Sequence, residues 1–306
     1  MSKVAIIGSG FVGSTTAYAL FIKRTASEIA IFDPHREKAE GHAMDLEHGL
    51  QFSPGVKITF GDSYDICAGA EIVVITAGAH QNPGETRLDL VSKNSGIFND
   101  MIPKIAKSSP NSIFLIVSNP VDIMTYLALK YSGFPRERVF GTGTTLDTAR
   151  YRYYLAEHFN VSPQSVHAYI LGEHGDSEFP VLSGATIAGL NIKDTWAYDK
   201  AKLDDDFKKT KNAAYEIISR KGATYFAIAL VIAEIVQSIL HDEKRVFPVS
   251  TFIENYYDEG DLCMSVPCAI GKGGIQRRIQ LPLSEEEQAA LHNSAGVLRE
   301  ILNKVK

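Results

Sequence analysis

The first half of the chain alternates short apolar runs with stretches whose apolar residues recur at helical spacing. Residues 4–7, 29–32, 58–60, 72–76 and 113–117 read as strands. The last two are apolar throughout, as strands covered on both faces must be. Helical patterns at 12–22, 37–50 and 88–107 separate several of them. This is the βαβ grammar of a doubly wound parallel sheet. After about Gly143 the grammar changes to longer helices, at 147–159, 204–221 and 224–241, with strands at 166–171 and roughly 246–251 between them. The pattern predicts an α/β protein, with an N-terminal Rossmann-type sheet over 1–142 and a C-terminal α+β unit over 143–306.

A length of 306 residues suits two domains. With 22% charged residues and a net charge of −5, no basic excess points to nucleic acid. The three cysteines, Cys67, Cys263 and Cys268, form no C-x-x-C pair, so reduced core thiols in the cytoplasm are expected. The most apolar stretch, 223–233, ends at Glu234 and falls short of the ~18 residues a membrane span needs. Strand 4–7 leaves no room for a signal peptide before it. Asp204, Asp205 and Asp206 ahead of Lys208 and Lys209 read as an acidic helix start.

Gly8-Ser9-Gly10-Phe11-Val12-Gly13 follows the first strand and opens a helix. In that context the glycines permit a tight turn, close approach to a pyrophosphate, and close packing of helix on strand. Asp33 ends the second strand about twenty residues on, where a carboxylate accepts hydrogen bonds from an adenosine ribose and repels a 2′-phosphate. NAD is therefore favoured over NADP, with Arg36 and Lys38 near enough to weaken the preference.

Residues 78–90 carry a neutral amide, Gln81, and a permanent cation, Arg87, on a loop able to close over a ligand. Gly172-Glu173-His174-Gly175-Asp176-Ser177 places His174 on a glycine-flanked loop, making it the best acid/base candidate among nine histidines. Asp147 and Arg150 share a face at the start of a helix. The carboxylate suits orienting an imidazole and the guanidinium suits gripping a carboxylate, although a simple local ion pair is the plainer alternative. Ser118-Asn119-Pro120 adds an amide at the carboxyl end of the last apolar strand.

These motifs, in this order along nearly the whole chain, resemble the lactate/malate dehydrogenase family, most closely its bacterial lactate-specific members. The resemblance implies that His174 donates a proton to the pyruvate carbonyl, Asp147 orients it, and Arg150 binds the substrate carboxylate. Arg87 would polarise the carbonyl, Asn119 would hydrogen-bond near carbonyl and nicotinamide, and Thr224 would bound the pocket. Gly8, Gly10, Val12, Gly13, Asp33, Gly78, Ala79, Val117 and Asn119 would line NAD. Gln81 stands where malate dehydrogenases carry arginine; a neutral amide suits pyruvate's methyl group, whereas oxaloacetate's second carboxylate would need a cation there. His80 and Asn82 depart from the commonest loop wording. The resemblance further implies L-stereochemistry, a homotetramer, and a fructose 1,6-bisphosphate effector held by Arg152 and His167. Arg152 lies about 200° around the helix from Arg150 and so serves a different surface.

Three rivals stand beside this reading. Malate dehydrogenase shares the chemistry. A redox sensor would bind NAD(H) without needing His174, Asp147 and Arg150 together. A metal hydrolase would use Glu173-His174 or His42, Asp45 and His48, none of which has the H-E-x-x-H spacing.

Overall fold

The computed structural model describes residues 2–79 and 87–304, the side chains of residues 87–89 excepted. In chain order the elements are β1 (Lys3–Ile7), α1 (Phe11–Lys23), β2 (Glu28–Phe32), α2 (Arg36–His48), β3 (Lys57–Gly61), β4 (Ile72–Ile75), α3 (Arg87–Ser108), β5 (Ile113–Ile116), α4 (Val121–Ser132) and β6 (Val139–Gly141). They continue with α5 (Thr145–Phe159), β7 (Val166–Leu171), β8 (Phe179–Ile187), β9 (Leu190–Asn191), α6 (Lys200–Lys221), α7 (Phe226–Leu240), β10 (Arg245–Ile253), β11 (Leu262–Gly271), β12 (Gly274–Arg278) and α8 (Glu285–Leu302).

Strands β1 to β6 pair in parallel in the order β6-β5-β4-β1-β2-β3. Every residue of β4 and β5 is buried, which is what their unbroken apolar sequence requires of strands covered by helices on both faces. The order reverses between β1 and β4, so the loops leaving their carboxyl ends diverge and open a crevice. Gly8 after β1, Asp33 after β2, Ala77 after β4 and Ser118 after β5 all lie at that end of the sheet.

The strand expected near 246–251 forms as β10, but it joins the first sheet rather than a separate one. It pairs antiparallel with β6 through Ser250 and Gly141, and β11 and β12 extend the sheet to nine strands. The approach is close: a Cβ on Gly143, whose φ is 52°, would meet the Ser250 nitrogen at 2.4 Å. Only glycine fits there. Strands β7, β8 and β9 form a small antiparallel sheet whose core partner is α5, through Tyr151, Leu155 and Phe159. Helix α6 begins at Lys200, capped by the Asp199 side chain, so the acidic run 204–206 lies inside it rather than at its start. Helix α7 is buried along Ala229, Ile232, Ala233 and Val236, and no helix among the described residues is long and apolar enough to cross a membrane. All three cysteines are free and buried.

Candidate active site

At the crevice, Gly8 turns the chain with φ 98°. A Cβ on Gly13 would fall 1.8 Å from the Gly8 carbonyl oxygen, so any side chain there would push α1 off β1. The Thr76 hydroxyl donates to the Ile7 and Gly8 carbonyls at 3.0 and 2.9 Å, binding the end of β4 to this loop. Gly10 caps α1 with no side-chain hydrogen bond, which leaves the helix's first N–H groups and its positive dipole end available to an anion. Asp33 is buried, and its carboxylate accepts from the Ser9 N–H at 2.9 Å, the Ser9 hydroxyl at 2.7 Å and the His35 N–H at 3.1 Å. Burial pushes its pKa up, but the Ser9 and His35 donors and nearby Lys38 outweigh that and hold it below the usual range. Lys38 lies 3.4 Å from Asp33 and Arg36 pairs with Asp62 at 3.6 Å, so both cations already have carboxylate partners. Val12 and Val117 are half-buried at the crevice, beside the exposed Gly78 and half-buried Ala79.

Two buried polar residues that the sequence pattern did not single out organise the other side. Asn94 on α3 accepts from the Ala79 N–H at 2.7 Å and donates to the Asn119 carbonyl at 2.7 Å, fixing residues after β4 to residues after β5. Asp122, in the first turn of α4, accepts from the His174 N–H at 2.8 Å and from the Ser250 hydroxyl at 2.6 Å. Its burial pushes its pKa to about 6. The peptide bond between Asn119 and Pro120 is cis.

Three of the residues singled out for chemistry meet. His174 Nδ1 lies 2.6 Å from Asp147 Oδ2, and an Arg150 N–H donates to Asp147 Oδ1 at 3.0 Å. Asp147 sits in the first turn of α5, where the helix dipole adds to the stabilisation of its charge. The two carboxylate oxygens thus have separate tasks: one fixes the imidazole, the other the guanidinium. Burial disfavours the charged imidazole, but the Asp147 carboxylate outweighs it and raises His174 to about 9. Burial likewise opposes ionisation of Asp147, and His174 and Arg150 overcome it, holding the carboxyl below its usual range. The His174 side chain remains 29% exposed, and among the described residues its other ring nitrogen has no hydrogen-bond partner. The arrangement offers an acidic N–H to a ligand and, beside it, a guanidinium with one edge uncommitted among the described residues.

Glu178 stands close by: Asp147, His174 and Glu178 each present a ligating atom, all within 4.8 Å of one another. That spacing would admit a metal ion, but Asp147 already uses both oxygens on His174 and Arg150. The donor set therefore suits a proton better than a cation.

The family models agree with this geometry. The lactate/malate dehydrogenase NAD-binding domain matches residues 2–141, and the lactate/malate dehydrogenase alpha/beta C-terminal domain matches residues 144–306. The chain belongs to the lactate/malate dehydrogenase family. It is 48% identical to an L-lactate dehydrogenase of Synechococcus sp. (strain JA-3-3Ab), covering 99% of each chain. It is 47% identical to L-lactate dehydrogenase 1 of Clostridium acetobutylicum, over 99% of this chain and 98% of the other. Among solved structures, the minor L-lactate dehydrogenase of Enterococcus mundtii in its ligand-bound form superposes with a TM-score of 0.96 at 42% identity, covering all of this chain and 98% of that one. As in the rest of the lactate/malate dehydrogenase family, the cofactor is NAD. The open α1 N-terminus, the space at Gly10 and the ionised Asp33 fit it.

Other expected positions fall as follows. Thr224 lies half-buried in the loop between α6 and α7, next to Tyr225, whose ring stacks on Phe11 of the glycine loop at 5.1 Å. Arg152 does face a different surface from Arg150, donating to the Ala168 carbonyl at 2.9 Å and lying 5.0 Å over the Tyr169 ring. His167 is exposed on the same strand, β7. Arg87 begins α3, but its side chain, and Gln81 as a whole, lie outside the described residues.

Proposed function

We propose that the chain is an NAD-dependent L-lactate dehydrogenase that reversibly reduces pyruvate to L-lactate, with residues 1–142 binding the cofactor and 143–306 supplying most of the substrate site. The observation that carries this reading is the 2.6 Å contact of His174 with Asp147, whose other oxygen holds Arg150. NADH, when bound, supplies the hydride to the carbonyl carbon. As that C–H bond forms, His174 donates its proton from the uncommitted ring nitrogen to the carbonyl oxygen, and the alcohol results. Asp147 keeps the imidazole aligned and charged until then, and accepts no proton itself. Arg150 grips the substrate carboxylate through its free edge. Arg87 polarises the carbonyl, Asn119 holds its oxygen near the nicotinamide, and Thr224 closes the pocket wall. Gln81, a neutral amide, selects against a second carboxylate, which is what separates this reading from a malate dehydrogenase. In the reverse direction neutral His174 takes the hydroxyl proton.

Arg152 and His167 form one half of a fructose 1,6-bisphosphate site completed by a second subunit of a homotetramer. A bisphosphate would gather cations that otherwise repel across subunits, coupling assembly to substrate affinity. The reaction reoxidises NADH in the cytoplasm, as glycolytic fermentation requires. Two assays test these proposals. Following NADH oxidation on addition of pyruvate, with chiral analysis of the product, should give L-lactate; no turnover, or the D-isomer, would contradict it. Adding the bisphosphate should raise the apparent pyruvate affinity, and an unchanged saturation curve would remove the effector from the account.

A further inference from the structure

Beside His174 lies a third acid that the reaction described above does not use. Glu178 immediately precedes β8, is only 6% exposed, and no described group hydrogen-bonds its carboxyl. Its carboxyl oxygen, the His174 ring nitrogen and an Asp147 oxygen lie within 4.8 Å of one another. Around it stand Asp147 and Arg150 from α5, His174 from the loop, and Lys211 from α6, whose ammonium donates to the Asp176 carbonyl at 2.6 Å. Asp122 and Glu173 lie behind the loop. The former is bonded to the His174 backbone and Ser250, and the latter accepts from the Ser177 hydroxyl.

We propose that Glu178 is a positioning residue that remains a neutral carboxylic acid while His174 carries its proton, so that the working form of the site holds both protons together. This rests on the reading of His174 as the proton donor. The surroundings support it: an ionised Glu178 would set a second anion beside Asp147 in a buried setting, with no hydrogen-bond donor on its carboxyl among the described residues. Burial and the Asp147 charge, opposed by His174, Lys211 and Arg150, raise Glu178 to about 9, close to His174, so the two groups titrate as a pair.

Infrared difference spectra of the full-length protein between pH 7.5 and pH 10 test this directly. A protonated carboxyl C=O band should be present at pH 7.5, disappear at pH 10, and be missing from Glu178→Gln. Absence of the band in the wild type, or its persistence in the variant, would overturn the proposal. In the alkaline limb of log kcat/KM for pyruvate, the wild type should approach a slope of two protons and Glu178→Gln a slope of one. Equal slopes would also overturn it. The infrared measurement needs no substrate, so it decides the state of Glu178 whether or not pyruvate is the substrate.

Discussion

Replacing Asp147 by Asn keeps the shape of the side chain and removes the charge on which the acid depends. The carboxylate contacts His174 Nδ1 at 2.6 Å, and the imidazole sits at about 9 instead of its ordinary 6.5. That difference is worth roughly 3 to 4 kcal/mol in favour of the protonated ring, at about 1.4 kcal/mol per unit. Without the carboxylate, the strongest influence favouring the protonated ring is gone and burial, opposed only by the weaker pull of Glu178 and Asp122, lowers the His174 pKa, so fewer rings keep a proton at pH 7.5. The same interaction no longer holds the imidazole in line with the carbonyl, and Arg150 loses the partner that fixes its fork. Together these losses should lower kcat/KM for pyruvate at pH 7.5 by on the order of 10²-fold. The assay is kcat/KM for pyruvate at saturating NADH from pH 5.5 to 10. Because the folded pKa is raised, the wild type should hold its plateau until the pH approaches about 9 and fall above it. In Asp147→Asn the fall should begin at a clearly lower pH. Lactate oxidation needs the neutral ring and should rise with pH through the same range. A variant with an unmoved alkaline limb and a rate at pH 7.5 within about threefold of the wild type would refute the reasoning.

Gln81→Arg should shift the ratio of kcat/KM values towards oxaloacetate by about 100-fold or more, because it gives the second carboxylate a cation; steady-state rates on both substrates check it. Asp33→Ala should weaken NADH binding by about tenfold and narrow the discrimination against NADPH, since the anion that repels a 2′-phosphate is gone. Titrating both reduced cofactors by fluorescence measures this, and an unchanged NADH/NADPH affinity ratio would count against the role of Asp33.

Much of the fold was legible because its strands announce themselves. Those at 4–7, 29–32, 72–76 and 113–117 are apolar on both faces and appear as β1, β2, β4 and β5. Helix α4 escaped notice because Ile123, Met124, Leu127 and Ala128 are all buried, leaving no polar face to give it a period. Strand β11 was masked by Pro267, which ordinarily argues against a central strand. Its carbonyl accepts from Ile279 just past the end of β12, where the ladder has already finished. Helix α8 did leave a signal, the capping box of Ser284 and Glu287 that the structure forms. The grouping of His174, Asp147 and Arg150 could be read from residue type and spacing, but the places of Asn94, Asp122 and Glu178 could not. Each is a single polar residue in an unremarkable stretch, and only its burial and its distant partners reveal a task.

The central claim, that this site reduces a 2-oxo acid with one carboxylate and rejects one with two, is tested most directly by kcat/KM for pyruvate and oxaloacetate with NADH, measured side by side at one pH. The account expects pyruvate to be favoured by about 100-fold or more, since oxaloacetate would leave a carboxylate unpaired beside Gln81. Equal values, or a preference for oxaloacetate, would contradict it.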